Sequence, residues 1–549
     1  MMMRREDASP WGIRTTEPSV WPQYPYNQVP RTPERSRPRY TISNQWDVSL
    51  RMRDGVEILL DIYRPQMPGG RFPALCSFSP YTRQLQRDSA PIGQNEAGIT
   101  EFWVPHGYAH VIVDVRGSNG SGGDWDMWGP VEQLDLAEVI EWVAAQPWCN
   151  GRVGMIGCSY FGMTQNLAAE QQPPSLRAIF PYDALTDLYR DALMPGGIPN
   201  EGWARFWFSA VTFLNGASSG RNPNFAAMTR HFDRVLSLRE PMDGPYWQER
   251  SAWPRLDQIQ IPSYFGCDWE FYTLHLRGTY DAWERTGPIT KRMLLGPAPW
   301  PKRQFASYHQ EALRWYDMFL KDLDSGVLDA DPVQIWIQGE DVWRSEPAWP
   351  LPNTRWTDFH LAGDQDHGSL DDSAPAPGAR ALDYDPARED WAFGQPSLSY
   401  RGPVLERALE VTGPIELRLC MASSATDTDW FATLLDEAPD GSTRELTRGW
   451  LRSSHREVDP ARSRPNRPWH PHLRSLPLEA EREEELAIEL MATSNLFLPG
   501  HRIRLDLSNC DSVNRHIASG YRRAVRLPAH NTVVHGPGKS RLNLPVIPR

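Results

Sequence analysis

Between Arg152 and Asn166 the chain reads RVGMIGCSYFGMTQN, an apolar strand-like run that meets a glycine, a serine and then a helical pattern. This junction constrains the fold more than any other stretch. A strand that turns into a helix over G-x-S needs a turn so tight that neighbouring backbone leaves no room for side chains, and it lifts the serine hydroxyl above the sheet edge. The usual spacing is G-x-S-x-G; here Gly157-Cys158-Ser159-Tyr160-Phe161-Gly162 carries the second glycine one step late. In a chain of 549 residues that spacing alone is weak, and the surroundings must separate a nucleophilic Ser159 from an ordinary turn.

Those surroundings read as a parallel sheet with crossovers. VEILLDIYRP and FPALCSFSPY read as strands and YAHVIVDVRG is a β-branched run closed by glycine, followed by the helical spacing of VEQLDLAEVIEWVAAQPW, the RVGMIG strand, a helix and LRAIFPY. Strands alternating with helices predict an α/β domain. The pattern stops near Leu185 and resumes at IQIPSYFGCDW, so residues 41–184 and 259–345 are expected to share one sheet, with 185–258 inserted as a helical cap. From 346 to 549, short alternating runs between turn residues predict a C-terminal all-β sandwich of jelly-roll type. Residues 1–40, rich in Pro and Arg and without periodicity, read as a flexible segment or a surface strap.

Composition narrows the function. A net charge of −12 argues against nucleic acid and anionic membranes as partners. No run is long enough to span a bilayer, and the first thirty residues lack the apolar core of a signal peptide, which makes the cytoplasm the expected setting. The six cysteines form no metal-ligand spacing, and several lie in apolar runs where Cys behaves as a small hydrophobe. His470 and His472 in RPWHPH are not accompanied by metal geometry. The glycine-rich RGSNGSGGD has the wrong spacing for a phosphate loop. No cofactor and no metal are expected; the partner is a small-molecule ester or amide substrate, and nothing argues against a homodimer.

GMIGCSYFGMTQNLAA resembles the nucleophile segment of the cocaine esterase and X-prolyl dipeptidyl peptidase group of α/β-hydrolases. MRDGVEILLDIYRP, FSPYTR, GYAHVIVDVRGSNGSGG, IEWVAAQPWCNG, RWYDMFLK, PDGSTRELTRGWLRSSHR and MATSNLFLPGHRI fit the same family in the same order, from about residue 45 onward. The resemblance implies an α/β-hydrolase domain with an inserted helical cap and a C-terminal jelly roll, and a serine hydrolase acting on esters and amides. It implies an oxyanion site made by the hydroxyl of Tyr81, in the SPY turn, and the backbone N–H of Tyr160. It places the catalytic acid at Asp268 of FGCDWEF by the peptidase branch, or at Glu270 by the esterase branch; Asp268 is preferred.

The base is where the chain departs from the family. A histidine is expected just after the next strand, in GPWSH or GP-x-x-H, but the chain reads LLGPAPWPKRQFASYHQEALRWYD, with Trp300 at that place. Indole has only an N–H donor and cannot accept the serine proton. His309 is the candidate substitute, against a plain packing role at a helix start, and His275 in LHLRG is expected to face a helix interior. Three readings follow: an active esterase or amidase, a degenerate homologue that binds an acyl or peptide-like ligand, and an acyltransferase-type tailoring enzyme.

Overall fold

The computed structural model describes residues 34–217, 225–297, 305–373, 375–386, 396–511 and 527–549. Trp300 lies outside them, as do residues 1–33 of the N-terminal segment. From Glu34 the chain runs as a strap: Glu34 N–H donates to Asp324 O at 2.9 Å, and both the backbone and hydroxyl of Ser36 donate to the Asp317 carboxylate at 2.7 and 2.6 Å.

The first sheet has ten strands in the spatial order Ile42–Arg51, Glu57–Pro65, Ala109–Asp114, Phe72–Ser79, Cys149–Met155, Leu176–Ile179, Ser263–Asp268, Lys291–Gly296, Val333–Ile337 and Val342–Glu346. The seven strands from Ala109–Asp114 to Val333–Ile337 are mutually parallel, and antiparallel partners flank them. Parallel strands are covered on both faces, so their sequences are continuously apolar rather than alternating. Phe72–Ser79, Ala109–Asp114 and Ser263–Asp268 are buried at every position. The pleat still divides them: Ala74, Cys76 and Phe78 join one hydrophobic cluster and Leu75 the other, as Met293 and Leu295 separate from Leu294.

Between Ile179 and Ser263 the described residues hold helices and turns and no strand. The helix Glu201–Ala217 is the main cap element: Trp203, Trp207, Phe208 and Val211 are buried, while Phe206 and Phe213 are exposed. None of the helices among the described residues is long and apolar enough to cross a membrane.

The second sheet has eleven strands between Arg355 and Ile547 and an aliphatic core that includes Leu361, Leu417, Leu419 and Leu505. Its long strand Leu409–Ser423 pairs with Glu484–Phe497 on one side and with Ala529–His535 and Arg541–Ile547 on the other, which curls the sheet into a barrel-like sandwich. The chain is thus an α/β-hydrolase domain followed by an all-β domain. The two are stitched at the end of the first sheet. Gln338 N–H donates to Ser494 O at 3.1 Å and Leu496 N–H donates to Gln338 O at 2.8 Å. Arg467 pairs with Glu284 at 2.7 Å, with Glu489 at 3.0 Å and with Asp281.

Candidate active site

Ser159 has φ 56° and ψ −121°, a conformation that costs a non-glycine residue about 1–3 kcal/mol. Its neighbours hold it there. The Ser159 N–H donates to the carbonyls of Tyr182 at 3.1 Å and Asp183 at 3.2 Å, and Cys158 N–H donates to Glu96 O at 2.8 Å. At Gly157, with φ 125°, a Cβ would stand 2.5 Å from the Phe161 Cβ and 2.6 Å from Glu96 O. The late glycine has its own reason: a Cβ on Gly162 would stand 2.6 Å from Tyr182 O. The helix Tyr160–Glu170 therefore packs against the Tyr182 segment through position 162, and position 161 is released to a buried Phe. Tyr160 is the first helical residue, so its backbone N–H belongs to the donors that an α-helix leaves without an intrahelical acceptor.

Tyr81 follows the strand Phe72–Ser79, and its N–H donates to Ser79 Oγ at 3.0 Å. Its hydroxyl accepts from Trp207 Nε1 of the cap at 2.9 Å and lies within hydrogen-bond reach of the Ser159 side chain. Burial, with the Glu96 carboxylate adding to it, pushes the Tyr81 hydroxyl well above its ordinary pKa. It stays an O–H and therefore a donor.

Asp268 ends the strand Ser263–Asp268 and is fully buried. Its Oδ1 accepts from the N–H groups of Glu270 at 3.0 Å and Phe271 at 3.1 Å, capping the turn Trp269–Thr273. Asp183, at φ 46°, joins this strand end to Ser159. Its carbonyl accepts from Ser159 N–H, its N–H donates to Gly266 O at 2.8 Å, and its Oδ1 accepts from Asp268 N–H at 3.4 Å. Asp183 thus bridges the backbones of Ser159 and Asp268. Glu270 is half-buried and lies outside the cavity wall described below.

His309 sits in the helix Phe305–Lys321, stacked on Phe102 (centroids 4.7 Å apart, planes at 12°) and edge-on to Trp103, with Nε2 3.5 Å from Ile99 N. Burial, with His110 and His106 nearby, lowers its pKa to about 3. It is not part of the wall around Ser159. His275 is part of that wall, which corrects the expectation that it faces a helix interior: the helix Leu276–Arg285 begins only after it, and its ring turns back to stack on Phe271 (5.1 Å, 29°). His470 bonds to the carbonyls of Glu457 and Ala487 and His472 to His455, and no cluster of three or more metal-ligating side chains occurs among the described residues.

The wall encloses about 960 Å³ above Ser159, including its open mouth. Tyr81, Arg83 and Glu96 give it polar groups. Trp203, Trp207, Ala210 and Leu214 give it one apolar face of the cap helix, at the i, i+4, i+7, i+11 spacing that places residues on one stripe. That spacing was readable from the sequence; the pairing of Trp207 with Tyr81 and the bridging by Asp183 were not. Behind the wall Tyr160, Trp128, Trp207 and Trp203 stack in sequence at 4.2, 5.2 and 5.4 Å. The Tyr160 hydroxyl donates to Glu132 at 2.7 Å, and burial raises the pKa of Glu132 to about 8.

Two family models match the chain: the X-Pro dipeptidyl-peptidase (S15 family) over residues 54–299, and the X-Pro dipeptidyl-peptidase C-terminal non-catalytic domain over residues 325–541. The cocaine esterase of Rhodococcus sp. (strain MB1 Bresler) is 29% identical, over 84% of this chain and 90% of that protein. A CocE/NonD family hydrolase from Staphylococcus aureus superposes with a TM-score of 0.80 at 26% identity, covering 92% of this chain and 94% of that one. An aminopeptidase from a marine sediment Thaumarchaeota archaeon shares the fold, with a TM-score of 0.75 at 19% identity over 95% and 99% of the two chains.

Proposed function

The chain belongs to the X-Pro dipeptidyl-peptidase and cocaine esterase family of α/β-hydrolases, a family of serine hydrolases, and we propose that it cleaves ester or amide bonds of small acyl substrates through an acyl-enzyme on Ser159. One observation carries the reading: Ser159 is held in a strained turn with the Tyr81 hydroxyl in reach of its side chain and the Tyr160 N–H at the head of the following helix. Strain in such a turn persists only where the surroundings over-determine it, and such positions cluster at reactive sites.

The residues take roles by their chemistry. Ser159 Oγ attacks the carbonyl carbon, and the oxygen that gains charge lies between Tyr81 O–H and Tyr160 N–H. Two donors fixed in a mostly apolar cavity stabilise that charge with almost no reorganisation. Asp268, bound to the nucleophile through Asp183, is the acid that orients the base. The acyl group enters against Trp203, Trp207 and Leu214, so the acyl side that fits is apolar and flat. Names among the relatives, a cocaine esterase and Xaa-Pro dipeptidyl-peptidases, support esters and amides as the bond types.

The test is hydrolysis of short p-nitrophenyl acyl esters by Ser159→Ala. Activity is expected to fall to background, since loss of a nucleophile costs roughly a millionfold. Turnover retained by the alanine variant would remove Ser159 as the nucleophile.

A further inference from the structure

We propose that His275 is the general base of this site. The inference rests on Ser159 as nucleophile and asks what takes its proton. The stretch from Pro297 to Tyr308 contains no histidine, and His309 is packed among Phe102, Trp103 and Ile99. Among the described histidines, His275 alone contributes to the wall that also contains Ser159 and Tyr81.

Its backbone is placed by the acid. Asp268 Oδ1 fixes Phe271 N–H at 3.1 Å, and the Phe271 carbonyl in turn accepts His275 N–H at 2.9 Å. The helix that follows presses on the chain that holds the nucleophile. A Cβ on Gly278 would stand 2.6 Å from Leu185 Cα and from Thr186 N, while one on Gly162 would stand 2.6 Å from Tyr182 O and 3.1 Å from the Ala184 Cβ. Ser159 and His275 each stand three residues ahead of a glycine that lets its own helix lie against residues 182–186. The two side chains therefore enter one cavity from two helices braced on the same strip of backbone. The all-β domain steadies the His275 side, where Tyr272 bonds to Glu445 and Arg277 pairs with Glu489 at 3.3 Å; Arg277 also pairs with Asp191 of the cap at 3.2 Å. The charged groups around this segment are Glu96 and Arg83 in the same wall, Asp268 and Glu270 on the turn that precedes His275, and Arg277, two residues on, with its partner Asp191.

As the Ser159 oxygen bonds to the carbonyl carbon, its proton passes to an imidazole nitrogen of His275 and the carbonyl π pair moves onto oxygen. The pair returns, the bond to the leaving oxygen or nitrogen breaks, and the imidazolium supplies the proton that the leaving group needs. A water repeats the cycle on the acyl-enzyme: His275 takes its proton, the acid product departs, and the proton returns to Ser159.

The experiment compares wild type, His275→Ala and His275→Gln in two readouts, p-nitrophenyl acetate turnover against pH and the rate of Ser159 labelling by a fluorophosphonate. Both variants are expected to lose about 10²–10⁴-fold in kcat with KM little changed. They are also expected to lose the acid limb of the wild-type pH profile, and the alanine variant to regain part of its rate with imidazole in the buffer. If the alanine variant fails to fold, the glutamine variant, which is closer in size and polarity, carries the comparison. Wild-type kcat and an unchanged pH profile in either folded variant would overturn His275 while leaving Ser159 intact. Turnover that survives Ser159→Ala would instead overturn the nucleophile.

Discussion

The two halves of the site are built differently. On the nucleophile side, Ser159 and Tyr81 are fixed by N–H bonds of 3.2 Å or less, and Gly157 and Gly162 by neighbours so near that a Cβ would stand 2.6 Å or less from them. On the acid and base side, Asp268 caps a turn and His275 lies in the junction between that turn and the next helix, a segment that leans on another domain through Tyr272 and Arg277. A half held by close backbone contacts within one domain tolerates little variation. A half held by long-range contacts can move its base from one loop to another and keep the rest of the chemistry, because what the reaction needs is an imidazole in reach and not an imidazole at a given position in the chain.

This contrast can be broken first at Asp268. Asp268→Asn keeps the cap acceptor and removes the charge, so kcat is expected to fall by about 10⁴-fold while the fold persists. Steady-state kinetics with a melting curve checks both parts, and near-wild-type kcat would detach the acid from the site. Tyr81→Phe comes next: removing one oxyanion donor is expected to lower kcat by about 10²–10³-fold with little change in KM. A loss confined to KM would make Tyr81 a binding residue only.

The smallest effect lies behind the oxyanion site. Burial lifts Glu132 to about 8, above the value of an exposed glutamate near 4.3 in an unfolded chain. The folded state therefore keeps a proton that the unfolded state releases. Its stabilisation is complete below about pH 4.3 and is lost as pH rises to about 8, so the melting temperature should fall over that window. Glu132→Gln, which stays neutral and can still accept from Tyr160, should flatten the slope by a few degrees. An unchanged slope would show that Glu132 is ionised throughout or that another group dominates.

The α/β order of strands, the interruption before Ser263 and the β-rich C-terminal part were legible because periodicity reports burial directly. The strained serine was legible because a helix cannot follow a strand so closely without glycine. His275 was misread for a local reason. LHLRG carries helical spacing, but the Asp268 cap ends its turn at Thr273 and the helix starts only at Leu276, which leaves the histidine in the junction between them. No sequence pattern announces which of two nearby turns terminates first. Nor does one announce that Trp207, more than a hundred residues from Tyr81, supplies the indole that holds its hydroxyl.

The most direct measurement of the central claim is intact mass after brief exposure to a fluorophosphonate, with the modified peptide located by fragmentation. The wild type is expected to gain one adduct, located on Ser159, and Ser159→Ala to gain none, because only an activated serine in an oxyanion site reacts at low reagent concentration. A wild type that stays unmodified, or one modified equally well after Ser159→Ala, would contradict it.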